Sequence, residues 1–412
     1  MNSLKEAHLV LFLTAGASLQ YWHKVGFLSR EAELYQRLLP HVGRISWVTY
    51  GGASDLQYQD VIPGIHILYN RWRLPIQVYI QQLPWLHRAA FQSATLLKSE
   101  QTGGVEAALR TAEFFGKRLI ARSGFSLALF AQYEPQAYEE NYDSILALEK
   151  KSFSAAQQIV VTTEEMRDTA LKTHHLSPEK IRVIPNYINT ERFAPPEKPT
   201  QRDRPLILFV GRLTYQKNVE NLLTAVAPLK NVDVEIVGSG TLYDTLVQRI
   251  RDENLSHVKL IGNVPNAELP QKFRQAAIYV QPSRYEGHPK TIFEAMSSGL
   301  PVIAGNAPGI RQFIRHQETG WLCEENPDSI RAGIEALLAN AEMRQTIGQA
   351  ARRYVVENFS LDQVVALELA MLDHVLNLPA PTPQPTSRPI LKSIWTYGQR
   401  VAVVARRKLA RA

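Results

Sequence analysis

The sequence holds a single cysteine, Cys323, in 412 residues, so no disulfide can form within the chain. With no His or Cys cluster around it, that thiol reads as a small core residue and not a metal ligand, and the chain as one of a reducing, cytoplasmic compartment. No stretch approaches the roughly 18 uninterrupted apolar residues of a membrane-crossing helix. The N-terminus shows no secretory leader; residues 8–14 are apolar but short and read as a first strand. There is no Asp-x-Asp pair to hold a divalent cation beside phosphates. Gly238-Ser239-Gly240 is not a dinucleotide fingerprint, because Thr241-Leu242-Tyr243 stands where the third glycine belongs. Acidic residues end at Asp373, and beyond it lie Arg388, Lys392, Arg400, Arg406, Arg407, Lys408 and Arg411. The net charge of +7 equals those seven cations, leaving the body neutral, which argues against nucleic acid as a partner.

What is present is alternation. Short apolar runs at 8–14, 45–50, 64–68, 118–121, 159–163 and 182–185 are separated by helical patterns such as 29–39, 104–115 and 164–172. Further strand-like runs follow at 206–210, 234–238, 258–262, 277–281 and 302–305. Such a chain predicts α/β architecture: two doubly wound parallel sheets covered on both faces, with ligands beyond the C-terminal strand ends. Two loops of the first half fit that position. Gly16, with Ser18 nearby, follows the first strand and is open to two readings, a ligand loop or a plain turn. Arg122-Ser123 follows the strand at 118–121 and suits either an anion cradle or an ion-paired structural arginine.

The densest signal lies at 277–304. An apolar strand is ended by Pro282-Ser283, Gly287 and Pro289 form a tight turn, and a helix from Lys290 stops at Gly299 before Pro301. A turn opening onto a helix N-terminus favours an anion. Glu286 in the loop and Glu294 on the helix would repel phosphate but accept bonds from hydroxyls. N–H groups for phosphate beside carboxylates for hydroxyls suit a sugar nucleotide. Upstream, the strand at 206–210 runs into Gly211-Arg212-Leu213-Thr214-Tyr215-Gln216-Lys217-Asn218. Arg212 and Lys217 beside a helix start can neutralise a diphosphate, and stabilise it more as charge gathers on it during departure.

These motifs resemble the donor site of retaining glycosyltransferases of family-4 type (glycosyltransferase group 1), which have the two-domain GT-B fold. The match covers Pro-Ser-x-x-Glu-Gly-x-Pro, Glu-Ala-Met-x-x-Gly-x-Pro-Val with two glutamates eight residues apart, and Gly-Arg-x-x-x-x-Lys-Asn. Val183-Ile184-Pro185-Asn186, with Phe193 and Pro195, resembles the family's exit from the first domain. The resemblance implies Arg212, Lys217 and Glu286 as catalytic. It implies Gly211, Gly238, Val264, Gly287, His288, Pro289, Lys290, Thr291 and Glu294 as donor-binding, and Gly16, Ser18, Arg122 and Ser123 on the acceptor or phosphate side. Lys290 replaces a small or apolar residue of the family, bearing on donor choice or starting a helix at solvent; Gln312 stands where many members have Glu. The family's first-domain histidine has no clear counterpart, since His23, His66 and His87 read as surface or structural.

The expected organisation is an acceptor-side domain over 1–188, a donor domain over 189–358, a helix returning to the first domain over 359–378, and a tail over 379–412. In that tail a proline-rich spacer leads to residues 390–412, which read as a basic amphipathic helix for an anionic membrane surface or as a disordered basic end. The expected activity is retaining, metal-independent hexosyl transfer from a UDP or GDP sugar to a glycan or lipid-linked acceptor, in glycan or glycolipid synthesis. The nucleotide sugar is a co-substrate, no cofactor is expected, and the expected location is cytoplasmic and peripheral at the inner membrane surface. Two other classes share the motifs: a nucleotide-sugar-binding protein without transfer, and a nucleotide-sugar epimerase.

Overall fold

The computed structural model describes residues 3–124, 130–131, 133–134, 142–197 and 202–384. Seven parallel strands form the first sheet: β1 (His8–Phe12), β2 (Arg44–Val48), β3 (Ile65–Leu68), β4 (Leu96–Ser99), β5 (Arg118–Ser123), β6 (Gln158–Val161) and β7 (Ile181–Val183). Their order is β3-β2-β1-β4-β5-β6-β7. Six more form the second: β8 (Leu206–Val210), β9 (Asp233–Val237), β10 (Val258–Gly262), β11 (Ile278–Gln281), β12 (Val302–Gly305) and β13 (Trp321–Cys323), in the order β10-β9-β8-β11-β12-β13. Strand order therefore reverses between β1 and β4 in one sheet and between β8 and β11 in the other. Crevices open at such switch points because the flanking connections leave in opposite directions.

Buried strands explain the near-continuous apolar runs. In β1, Leu9 and Leu11 join the core on one face, and Val10 and Phe12 join the core on the other. The second sheet divides in the same way, with Ile207 and Phe209 on one face and Leu208 and Val210 on the other.

Two strands escape the apolar-run criterion. β4, central in its sheet, carries Lys98, which is 1% exposed. Its ammonium lies 2.7 Å from both carboxylate oxygens of Glu368 on the helix Leu361–Asn377. β13 is three residues long and half-buried at the sheet edge. The apolar pattern over 358–376 is two helices, Ala341–Phe359 and Leu361–Asn377, broken at Ser360. The break coincides with Ile188, whose N–H donates to the Phe359 carbonyl at 2.7 Å and whose backbone bridges Ser360. The last helix packs on the helix Phe27–Leu38 and on β4 and β5, so the chain's end returns to the first sheet.

Of the tail, residues 379–384 are described; the Gln384 N–H donates to the Glu113 carbonyl at 2.7 Å. The expected amphipathic helix at 390–412 lies outside the described residues. Among the described residues, no helix is long and apolar enough to cross a membrane.

Candidate active site

The second sheet's switch point holds the two loops singled out by motif. The loop after β8 contains Arg212 and a short 3-10 turn, Tyr215–Lys217; Asn218 follows with φ 55° and opens the helix Val219–Val226. The loop after β11 ends at the helix Lys290–Ser297. Asn218 ties them together, its side-chain amide donating to the Pro282 carbonyl at 3.0 Å. Two glycines are required by close approach. A Cβ on Gly238, with φ 141°, would sit 1.9 Å from the Gly211 carbonyl. One on Gly309, with φ 74°, would sit 1.8 Å from that of Glu286.

Three expected catalytic residues share one network. Lys217 Nζ lies 2.5 Å from Glu286 Oε1, and both side chains are nearly buried. Gln281 Nε2 donates to the same oxygen at 2.8 Å, while its Oε1 accepts from the hydroxyls of Tyr279 at 2.6 Å and Thr291 at 2.7 Å. Gln216 Nε2 reaches the Tyr285 carbonyl at 3.0 Å, and its Oε1 accepts from exposed Arg212 at 3.3 Å. Arg212 thus stands at the mouth and Lys217 at the base. Gln281 and Gln216 were not foreseen as site residues. A glutamine closing an apolar strand beside Pro-Ser was the available signal.

Glu294 is one turn further along the helix. It is 4% exposed, and Oε2 has no hydrogen-bond partner among the described residues. Burial pushes its carboxyl up to about 7, against the pull of Arg30, Lys290 and Arg192. A buried acceptor without a donor is costly, and a ligand hydroxyl would satisfy it. The helix that carries it begins at Lys290, and its first N–H groups have no intrahelical acceptors. Gly287 and Pro289 are buried in the turn, and half-buried Thr291 is anchored on Gln281. Half-buried Val264 packs against the core under the β10 loop.

Three expectations take a different physical form. His288 is turned away from the turn: its ring packs against Phe293, Phe313 and Phe359, neither nitrogen has a hydrogen-bond partner among the described residues, and burial lowers its pKa to about 3. Lys290 is neither at solvent nor at a helix end without a partner. Its ammonium crosses to the first domain, 3.1 Å from Glu31 Oε1 on the helix Phe27–Leu38. Ser18 is a helix cap, its hydroxyl accepting from the Tyr21 N–H at 3.0 Å.

The remaining first-domain candidates are similarly engaged. Arg122 donates to the Glu100 carbonyl at 3.0 Å and to Asn186 Oδ1 at 2.7 Å. Buried Ser123 accepts from Thr102 at 3.1 Å. Gly16 adopts φ 85° in a turn against Ile76. His87 bonds the Tyr79 hydroxyl at 2.8 Å, and His23 and His66 are exposed. The domains meet again where the Gly309 N–H donates to Glu165 Oε2 at 3.0 Å and Tyr285 stacks on Tyr133 at 5.1 Å. Among the described residues, no three His, Cys, Asp or Glu side chains gather as a metal-ligand set.

Two parallel-sheet domains, with basic and acidic side chains gathered at the second sheet's switch point, have the architecture of the GT-B class of glycosyltransferases. The comparisons agree. An Anabaena protein, HepE, solved with UDP and glucose, superposes with a TM-score of 0.70 at 17% identity over 89% of this chain and 99% of its own. Sucrose-phosphate synthase from Thermosynechococcus elongatus superposes with 0.68 at 19% identity, over 90% and 99%. Residues 32–192 match glycosyltransferase family 4 and residues 191–354 match glycosyl transferases group 1; the chain belongs to these glycosyltransferases. An uncharacterized glycosyltransferase of Methanocaldococcus jannaschii is 30% identical over 55% of this chain and 62% of its own length. A GDP-mannose-dependent alpha-(1-6)-phosphatidylinositol monomannoside mannosyltransferase of Mycobacterium tuberculosis is 28% identical over 44% and 53%. The matched region thus spans about half to three fifths of these curated relatives.

Proposed function

We propose that the protein transfers a hexose from a nucleoside diphosphate sugar to an acceptor hydroxyl with retention at the anomeric carbon. The observation that carries this reading is one bonded network at the switch point that joins Arg212, Gln216, Lys217, Gln281 and Glu286, and reaches through Thr291 the helix that carries the unpartnered Glu294 oxygen. Glu294 takes the ribose hydroxyls and Glu286 those of the sugar. Arg212, Lys217 and the helix N-terminus take the diphosphate. Lys217 is held by Glu286, so the lysine arrives prealigned and shares its charge with the phosphates as the C1–O bond breaks. The acceptor attacks from the face the diphosphate leaves, so a departing phosphate oxygen is the base at hand for the hydroxyl proton. Arg212 and Lys217 supply the positive charge, and the mechanism needs no metal ion or cofactor.

A glycan or lipid-linked acceptor lies against the first domain, and the basic tail rests on an anionic membrane surface. Residues 1–188 serve as the acceptor-side domain and 189–358 as the donor domain, with 359–378 joining them. The test is donor turnover by the Arg212→Ala and Lys217→Ala proteins. Loss in both supports the assignment, and wild-type rates in both overturn it. Removal of 379–412 tests the membrane reading, which predicts loss of liposome binding with the fold intact; flotation unchanged by the deletion contradicts it.

A further inference from the structure

A cavity of about 420 Å³ lies in the first domain alone, away from the loops after β8 and β11. It runs along edge strand β3, from Arg44 at the start of β2 to Arg71 beyond the end of β3, and is closed by His87 and Arg88 at the junction of two helices. His66 projects from β3 on the sheet face that carries Leu68, the face covered elsewhere by the helix Ile76–Leu86. The edge of that face is left open, which forms the cavity.

The charge of the lining is one-sided. Arg44, His66, Arg71, His87 and Arg88 contribute, and among the described residues no Asp or Glu does. None of the three arginines makes an ion pair among the described residues; Arg71 has its guanidinium over the Trp72 ring at 4.3 Å. Arginines elsewhere, such as Arg249 with Glu253 and Arg331 with Asp328, have carboxylate partners. The imidazoles register the local field. Burial and then Arg44 lower His66, while burial, Arg71 and His66 lower His87 to about 4. His87 is engaged with the Tyr79 hydroxyl at 2.8 Å, which leaves exposed His66 as the imidazole open to a ligand.

An uncompensated positive concavity concentrates anions, and guanidinium forks match phosphate oxygens in pairs. Its size falls within the roughly 300–1,000 Å³ of small-molecule sites. Leu68, Leu86 and Ala90 give it one apolar wall, suited to the organic part of an ester. We propose that this groove is a phosphate-binding site, recognising the phosphate of an organic ester through Arg44, Arg71 and Arg88, with His66 beside them and His87 in its wall. The proposal does not rest on the transferase reading, since no residue of the donor crevice lines the groove.

The test is nuclear magnetic resonance of the His66 and His87 rings during titration with inorganic pyrophosphate at physiological salt. Saturable shifts of both rings are expected in the full chain and in Lys217→Ala, which alters the donor crevice only. In Arg44→Gln/Arg71→Gln/Arg88→Gln, affinity read at the same rings is expected to fall by about tenfold or more. All three arginines are exposed, and a melting curve checks that the variant folds. Rings that do not move, or that shift equally in the arginine variant, overturn the site.

Glycerol 3-phosphate and micelle-free dihexanoylphosphatidylglycerol, titrated against the same rings, identify the phosphate's source, because the rings report the groove and not the basic tail. Tighter binding of the lipid, weakened in the arginine variant, supports the site with a lipid headgroup as ligand. Tighter binding of glycerol 3-phosphate, weakened in the same variant, supports it with a soluble ester. Rings that neither ligand moves contradict both.

Discussion

The two domains share an architecture yet treat their buried polar groups differently. In the first, two buried ion pairs close within the packed core, Lys98 with Glu368 and His174 with Glu149, while Asp55 Oδ2 and the Tyr50 hydroxyl have no partner among the described residues. In the second, the Lys217–Glu286 pair sits in a crevice, and Glu294 keeps an oxygen without a partner. What differs is the setting: the Lys98–Glu368 pair is enclosed between a sheet and a helix, whereas the Lys217–Glu286 pair lies in the loops at a sheet's switch point, where a ligand can reach it. Gly16, Ser18, Arg122 and Ser123 looked like ligand residues because they end strands. Ser18 also caps a helix, and Arg122 and Ser123 also bond neighbouring loops.

The largest effect separating the domains is expected for the Lys98–Glu368 pair. Glu368→Ala leaves a buried ammonium alone and should destabilise the protein by about 3–5 kcal/mol in denaturant titration, whereas Lys98→Met with Glu368→Leu should be near neutral. A mild effect of the single change would mean the first domain tolerates open charges too. At the switch point, Lys217→Ala should lower melting less than Glu368→Ala does, because Gln281 still donates to Glu286, while lowering turnover by about 10²–10³-fold, the range for removing one charge-stabilising donor.

Glu294 supplies a pH signature. Its folded pKa of about 7 exceeds the ordinary 4.5, so the native state binds a proton that the unfolded state releases between those values. That contribution to stability is full below pH 4.5 and is lost as pH rises to about 7. The ionised form accepts hydroxyl bonds best, so donor kcat/KM should fall as pH drops below about 7, and Glu294→Gln should remove that limb. A limb that persists in the variant belongs to another group. The smallest effect is at His288, where two unpartnered ring nitrogens lie among phenylalanines. His288→Phe should stabilise the fold by about 1–3 kcal/mol and leave turnover nearly intact.

This contrast also sets what the sequence could reveal. The donor crevice was legible because its residues come from two local motifs: Gly211 to Asn218, and Gln281 to Glu294. The apolar runs of β1, β8 and β12 marked buried strands for the same local reason. β4 was hidden because the partner that makes a core lysine tolerable lies 270 residues away. The ion pair of Lys290 was hidden for that reason too: its partner, Glu31, is 259 residues distant. Ser360 ended a helix without any loss of apolar period, because the break depends on Ile188 docking from elsewhere.

The most direct test of the donor crevice is binding. A panel of nucleoside diphosphate sugars screened by thermal shift should yield at least one that raises the melting temperature of the wild type, by an amount equivalent to about 2.7 kcal/mol at a hundredfold excess over Kd. The shift should shrink sharply in Lys217→Ala and in Glu294→Gln. A panel that leaves the wild type unmoved, or a ligand that stabilises both variants as strongly as the wild type, would place the sugar nucleotide outside this crevice.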